Sequence, residues 1–103
     1  MHSMGSWLTA RVAEALADLA EHMQDPDSEI EVVRAERVTW PDASVGCPQP
    51  GMRYTQALVP GYFIQLRAAG RIWNYHGGRG TPRLCDSPAE RLPEDLPDAR
   101  RDL

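Results

Sequence analysis

The stretch YFIQLRAAGRIWNYH, residues 62–76, decides the fold, because apolar and polar side chains alternate on both sides of Ala69-Gly70. Alternation with a period of two indicates strands with one buried face, and a two-residue turn at Ala69-Gly70 would join them as an antiparallel hairpin. The apolar pairs that this register forms on one face are Leu66 with Trp73 and Ile64 with Tyr75. Gln65 then faces Asn74 on the other side, as expected for a sheet that is covered on one face.

Runs on either side of the hairpin extend the predicted sheet. YTQALV (residues 54–59) is typical of a strand that turns at Pro60-Gly61 into the hairpin, and RLC (residues 83–85) predicts a short last strand. EIEVVRAERVTW (residues 29–40) predicts a longer strand, but its apolar residues change parity along the run. Since a regular strand cannot hold both sets on one face, we expect a bulge or bend near residues 34–37.

Residues 6–24, SWLTARVAEALADLAEHMQ, predict an amphipathic helix. Its apolar stripe recurs at steps of three or four residues and consists of Leu8, Val12, Leu16, Leu19 and Met23. Pro26 ends the helix, because the residue before a proline is driven out of the helical region. The order of elements predicts an α+β fold, in which this N-terminal amphipathic helix packs on a curved antiparallel sheet of about four to five strands.

The length of 103 residues corresponds to one domain. We expect a disordered N-terminal arm at residues 1–5, a single α+β domain at residues 6–86, and a disordered acidic tail with three prolines at residues 87–103. The chain has no run of 18 apolar residues, which predicts no membrane span. A basic start followed by an apolar core is also missing, so that no signal peptide is predicted in this chain.

The two cysteines of the chain frame the most unusual segment, SVGCPQPGM (residues 44–52), within a proline-rich loop at residues 41–53. A disulfide between Cys47 and Cys85 would stabilise so small a domain by about 3–4 kcal/mol. Two free buried thiols are a second interpretation. A third is a small thiol-dependent enzyme with Cys47 as nucleophile and His76 as base, although residues 43–85 offer no carboxylate to orient that base.

Metal and cofactor sites are not predicted. The sequence contains no C-x-x-C and no H-x-x-x-H pattern, and Cys47, His76 and Cys85 are too scattered to suggest a metal site. The glycine-rich HGGRG (residues 76–80) lacks the lysine and the following helix of a phosphate-binding loop, and a turn is its simpler interpretation.

Nucleic acid is not an expected partner, although residues 43–85 carry five arginines and no acid. The arginines lie among aromatic residues that could stack on bases, namely Tyr54, Phe63, Trp73 and Tyr75. However, the whole chain has a net charge of −4, and a core with few large residues needs most of these aromatics.

From Ile30 onward the sequence resembles an uncharacterised family of small bacterial domains. The resemblance covers about residues 28–85 and rests on VTWPDASVGCPQPGM, YTQALVPGYFIQL, the W-x-Y-H that ends the next strand and a late LC. It implies no reaction and no ligand. Because family members often follow export signals, it implies an extracytoplasmic setting, which fits a Cys47–Cys85 disulfide; two free thiols would instead indicate the cytoplasm.

The function that these features favour is a non-enzymatic interaction or accessory module that presents a rigid proline-rich loop, because pre-ordering a loop lowers the entropy lost on binding. The candidate loop-binding residues are Trp40, Asp42, Cys47, Pro48, Gln49, Pro50 and Arg53. We expect Trp40 to pack beneath the loop and Asp42 to cap its first turn. The partner is an unidentified protein. A protease-inhibitor-like loop is a narrower form of the hypothesis, and the thiol-dependent enzyme is the competing one.

The predicted assembly state is a monomer or a weak homodimer. An exposed edge strand carries unpaired backbone groups that can pair two copies of a sheet. The sequence does not distinguish these two states.

Overall fold

The computed structural model of the chain describes residues 5–24 and 28–96. Its elements in chain order are the helix α1 (Gly5–Met23), the strands β1 (Glu31–Trp40), β2 (Val59–Ala68), β3 (Arg71–Gly77) and β4 (Arg83–Leu84), and a 3-10 turn at Pro93–Asp95. The strands form one four-stranded antiparallel sheet in the order β1-β2-β3-β4. The predicted α+β class, with one N-terminal helix packed on an antiparallel sheet, is confirmed.

The predicted boundaries fall partly outside the described residues. Residues 1–4 of the expected arm, Pro26 and residues 97–103 of the expected tail are not described, whereas Gly5 already belongs to α1. In the described part of the chain, no helix is long and apolar enough to cross a membrane.

The β2–β3 hairpin has the predicted register. Leu66 pairs with Trp73 and Ile64 with Tyr75 across the turn at Ala69-Gly70. On the opposite face the Gln65 amide nitrogen donates to Asn74 Oδ1 over 3.0 Å. The local alternation of the sequence was therefore sufficient to define this pair of strands.

The irregularity in β1 lies slightly earlier than predicted. Its register against β2 shifts between Val32 and Arg34, so that Val33 is the extra residue of a bulge. Beyond it, Ala35 faces the helix with Ile64, whereas Val38 faces the other side of the sheet. The parity change in the sequence therefore reflects a strand whose apolar residues serve two different faces.

The predicted turn at Pro60-Gly61 is wrong, because both residues lie inside β2 and pair with Thr39 and Val38. Residues 54–58 are not a strand. The pairing of β3 with β2 ends at Gly77, opposite Tyr62, so β2 has a neighbour on one side only at Pro60, and a proline is tolerated at such an edge.

One face of the sheet, the helix face, is covered by α1. Leu8, Val12, Ala15 and Leu19 are buried against the sheet. The sheet residues that meet them are Tyr62, Ile64, Leu66, Ala68 and Tyr75. The two tyrosines also satisfy their hydroxyls: Tyr75 donates to Asp18 Oδ2 over 2.8 Å and Tyr62 to the Gly80 carbonyl over 2.6 Å.

The opposite face, the loop face, carries a second apolar cluster around Val38, Trp40 and Phe63, all fully buried. No described helix lies on it. It is covered instead by Val45 of the proline-rich loop and by Leu92 and Leu96 of a C-terminal segment (residues 86–96). Residues 87–96 of this segment were expected to belong to a disordered tail. Instead, Leu92 and Leu96 complete an apolar cluster whose other members lie on the sheet and in the loop.

Burial of Tyr62 predicts a loss of stability at alkaline pH. Desolvation raises the pKa of Tyr62 from 10.0 to about 12, with a smaller opposing effect of Arg11. Between about pH 10 and 12 the phenol of the folded protein keeps its proton while that of the unfolded chain releases it. The contribution of Tyr62 to the free energy of unfolding is therefore complete below about pH 10 and is lost as pH rises through about 12. Urea unfolding at a series of alkaline pH values should show that the free energy of unfolding falls less steeply with pH for Tyr62→Phe than for the unchanged protein. Identical pH slopes would contradict this account.

Candidate functional site

The proline-rich loop begins with a turn built around Asp42. One carboxylate oxygen, Oδ1, accepts hydrogen bonds from the Ser44 backbone N–H over 2.9 Å and from the Ser44 hydroxyl over 2.6 Å. The Cys47 N–H then donates to the Ser44 carbonyl over 2.9 Å. Asp42 thus caps the first turn through an Asx-type bond, and residues 42–47 are fixed by local hydrogen bonds.

The apex of the loop is a reverse turn at Gln49–Met52. The Met52 N–H donates to the Gln49 carbonyl over 3.2 Å, and Gly51 has a φ of 80°. Proline at the second position and a glycine with positive φ at the third are the pattern of a type II turn. The Gln49 N–H donates in addition to the Tyr54 hydroxyl over 3.0 Å. The apex therefore has a defined backbone although its side chains are exposed.

The predicted Cys47–Cys85 disulfide is present, with an S–S distance of 2.03 Å and a Cα–Cα distance of 5.9 Å. It joins the loop to the residue that follows β4. Beside it the Ser87 hydroxyl donates to the Pro48 carbonyl. The loop is thus bonded covalently to the residue just before the C-terminal segment, and it is connected to that segment by the Ser87 hydrogen bond.

His76, at the end of β3, is a second connection between these segments. Its side chain is 1% exposed, which differs from the surface position expected of a histidine at a strand end. Nδ1 lies 2.8 Å from the Val45 carbonyl oxygen and Nε2 lies 2.6 Å from Glu90 Oε2. Because a carbonyl can only accept, Nδ1 carries a hydrogen, and Nε2 faces the Glu90 carboxylate. Both ring nitrogens are therefore engaged.

Aromatic neighbours fix the plane of the His76 ring. Trp40 stacks on it with ring centroids 5.0 Å apart, and Phe63 meets it edge-on at 5.2 Å. Trp40 is held in turn by its indole N–H, which donates to the Gly77 carbonyl over 3.0 Å. The imidazole is thus confined by two rings and two hydrogen bonds.

Gly46 is the point at which the loop, the sheet and the C-terminal segment meet. A Cβ on this residue would lie 2.4 Å from Trp40 Cζ3, 2.8 Å from His76 Nδ1 and 2.9 Å from the Arg91 carbonyl oxygen. Its own carbonyl accepts from the Arg91 N–H over 2.8 Å. Only a residue without a side chain permits this approach.

The structure separates the predicted binding residues into exposed and supporting positions. Gln49, Pro50 and Arg53 are exposed. The supporting residues are Asp42, Cys47 and Pro48, which are half-buried, and Trp40, which is fully buried. Trp40 therefore lies beneath the loop, as expected, and cannot itself touch a partner.

A cavity of about 400 Å³ lies between the loop and the C-terminal segment. Arg53 and Arg91 line it together with apolar groups of Pro41, Met52 and Leu96. Within the described residues Arg53 makes no hydrogen bond or ion pair. Asp42, whose Oδ1 accepts from Ser44, lines the cavity as well, so the cavity combines charged groups of both signs with apolar walls.

Sequence reasoning missed three residues of this region: Met52, which is 62% exposed, and Glu90 and Arg91. Glu90 and Arg91 lie in the segment that was expected to be a disordered tail. The two leucines Leu92 and Leu96 were the available apolar signal that this segment packs.

The aromatic and arginine residues of the nucleic-acid hypothesis do not form a stacking surface. Phe63 and Tyr75 are fully buried. The Arg71 guanidinium lies 4.1 Å from the centre of the Trp73 ring, and Arg67 pairs with Glu31 over 2.8 Å. The rings of Phe63 and Tyr75 are therefore not accessible for stacking on bases.

Comparison with known proteins gives a family but no activity. The family model described as Domain of unknown function (DUF8738) matches residues 12–85, and the chain belongs to this family. The match includes most of α1, the loop and both cysteines, and it ends before Glu90. Searches of curated proteins and of solved structures found no match.

Replacement of Gly46 by alanine should disrupt the junction. Gly46 and Gly51 share a φ of 80°, but a Cβ on Gly51 meets nothing within 4 Å. Gly51→Ala should therefore destabilise the fold only by the cost of a left-handed backbone, about 1–2 kcal/mol. Gly46→Ala should destabilise it by about 1–3 kcal/mol more, because its Cβ also overpacks the junction. Urea unfolding of the two variants measures the difference. Equal losses of stability would show that the space around Gly46 is not tightly filled.

Proposed function

We propose that the domain is a non-enzymatic interaction module whose recognition surface is the proline-rich loop (residues 41–53). The observation that carries this proposal is an exposed apex on a backbone that is fixed at its base. Hydrogen bonds, the Cys47–Cys85 disulfide and the Gly46 junction hold the loop, while Gln49, Pro50 and Met52 are exposed. Binding through a pre-ordered loop loses less conformational entropy than binding through a flexible one.

The surface favours a protein partner that combines an acidic group with apolar side chains. Arg53 is exposed at the rim of the 400 Å³ cavity without a partner among the described residues, and Arg91 lies across from it. Met52, which also lines the cavity, adds exposed apolar area beside this charge. A carboxylate of the partner would pair with Arg53, and its apolar neighbours would cover Met52.

The thiol-dependent enzyme has less support. Its nucleophile would be Cys47, which is bonded to Cys85. Its base would be His76, but Nδ1 is engaged by Val45 and Nε2 by Glu90. A general base needs a free nitrogen within reach of the group that it deprotonates, and the oxidised protein offers none at this position.

The protease-inhibitor form of the hypothesis is less favoured than a general interaction surface. Its loop would have to enter an active-site cleft with an extended backbone. The apex instead reverses direction at Gln49–Met52, so that a partner would meet a turn rather than a strand.

An oxidising, extracytoplasmic compartment is part of the proposal, because disulfides persist in such compartments and are rare in the cytosol. The Cys47–Cys85 bond supports it. Protein isolated from its host without reductant, then denatured and alkylated, should gain no label in intact mass. Addition of two labels would argue for the cytosol.

Selection of peptides from a displayed random library on the oxidised protein tests the recognition surface. We expect enriched peptides to carry acidic and apolar residues, and to bind Arg53→Glu at least about tenfold more weakly, because the substitution reverses a charge beside the bound carboxylate. Arg79→Glu is the matched control, since Arg79 is exposed but does not line the cavity. Failure to enrich any sequence, or peptides that bind both variants equally, would contradict the proposed surface.

A further inference from the structure

Metal-ligating atoms meet at the base of the proline-rich loop. A ring nitrogen of His76, Cys85 Sγ and a carboxylate oxygen of Glu90 all lie within 4.8 Å of one another. Cys47 Sγ lies 2.03 Å from Cys85 Sγ. Bonds of about 2.0–2.3 Å from zinc to nitrogen, oxygen and sulfur place neighbouring donors about 3–4 Å apart. Three donors are therefore already grouped. Cys47, which lies outside this group but is bonded to Cys85, would have to move after reduction to become the fourth.

His76 is already oriented as a metal ligand. Its Nδ1–H donates to the Val45 carbonyl, which leaves Nε2, 2.6 Å from Glu90 Oε2, as the nitrogen that can bind a metal. Histidine ligands commonly donate their second ring N–H to a backbone carbonyl in this way, which fixes the tautomer and the ring orientation. The packing of Trp40 and Phe63 on the ring holds it in place without any metal.

Reduction of the disulfide would complete the donor set. A dithiol reductant supplies two electrons and two protons, so that the S–S bond breaks and Cys47 and Cys85 become thiols while the reductant is oxidised to its own disulfide. A divalent cation then displaces the two thiol protons, and it binds the lone pair of His76 Nε2 and the Glu90 carboxylate. Two thiolates, an imidazole and a carboxylate are a donor set that suits zinc rather than magnesium or calcium.

We propose that the reduced protein binds one zinc-type divalent cation through Cys47, Cys85, His76 and Glu90. The cation joins the same segments as the disulfide, namely the loop and the residue after β4, and adds β3 and the C-terminal segment through His76 and Glu90. The loop can thus be held by either of two cross-links, according to the redox state. This site does not depend on the proposed recognition function.

Cobalt titration of the protein reduced with a phosphine, in the absence of oxygen, tests this site. We expect one Co²⁺ per chain, with the intense visible bands of tetrahedral cobalt and thiolate-to-cobalt charge transfer in the near ultraviolet, both abolished by Zn²⁺. The oxidised protein should give neither signal. If reduction unfolds the chain, the cation must restore its far-ultraviolet circular dichroism. A reduced protein that gives no thiolate band, or that stays unfolded with the cation, would overturn the proposal.

Variants separate this site from adventitious binding. Glu90→Gln should weaken Co²⁺ binding by at least about tenfold, because changes even outside the ligand sphere weaken metal sites about 10–100-fold. Glu21→Gln is the matched control, since Glu21 is an exposed acid on α1 outside the cluster. The double variant Cys47→Ser with Cys85→Ser should lose the charge-transfer band. Equal affinities of Glu90→Gln and Glu21→Gln would remove Glu90 from the site and contradict the proposal.

Discussion

The constraint on which the rest of the structure depends is that the sheet has two apolar faces, whereas the one described helix covers only one of them. α1 buries the helix face, where Tyr62, Ile64, Leu66 and Tyr75 lie. Trp40 and Phe63 lie on the other face and are equally buried. Burial of a large aromatic side chain contributes about 1.5–3 kcal/mol, so an uncovered loop face would lose a substantial part of the stability of a small domain. The segments available to cover it are those without regular secondary structure.

Segments without regular secondary structure that cover a sheet bury polar groups, and each buried polar group needs a hydrogen-bond partner. At His76 both ring nitrogens have such a partner. An imidazole at this depth would be costly without hydrogen-bond partners. The loop supplies the Val45 carbonyl and the C-terminal segment supplies Glu90. The same contacts that satisfy His76 therefore fix the two covering segments on the sheet. The rigidity of the loop, which is the basis of its proposed role in recognition, follows from this packing together with the disulfide.

The parts of the fold that sequence reasoning predicted are those whose signals are local. The β2–β3 hairpin follows from the alternation of apolar and polar residues around Ala69-Gly70, and the parity change in residues 29–40 indicated a bulge. The turn at Pro60-Gly61 was a wrong prediction, because whether a proline interrupts a strand depends on where the neighbouring strand ends, which is not a local property. Glu90 and Leu96 were missed because their partners lie far away in the sequence, on a face that binary alternation had assigned to solvent. The proposed recognition by the loop has no motif in the sequence, since recognition by an exposed turn requires no fixed motif.

Hydrogen exchange at the Arg91 amide tests most directly whether the C-terminal segment and the loop form one layer on the sheet. The Arg91 N–H donates to the Gly46 carbonyl over 2.8 Å, and this contact requires the C-terminal segment to pack on the loop. In the oxidised protein this amide should exchange at least about a hundred times more slowly than in an unstructured peptide. Exchange of Arg91 and Leu96 at the unstructured rate, while β2 remains protected, would mean that the segment is a disordered tail and that the loop face is not covered in this way.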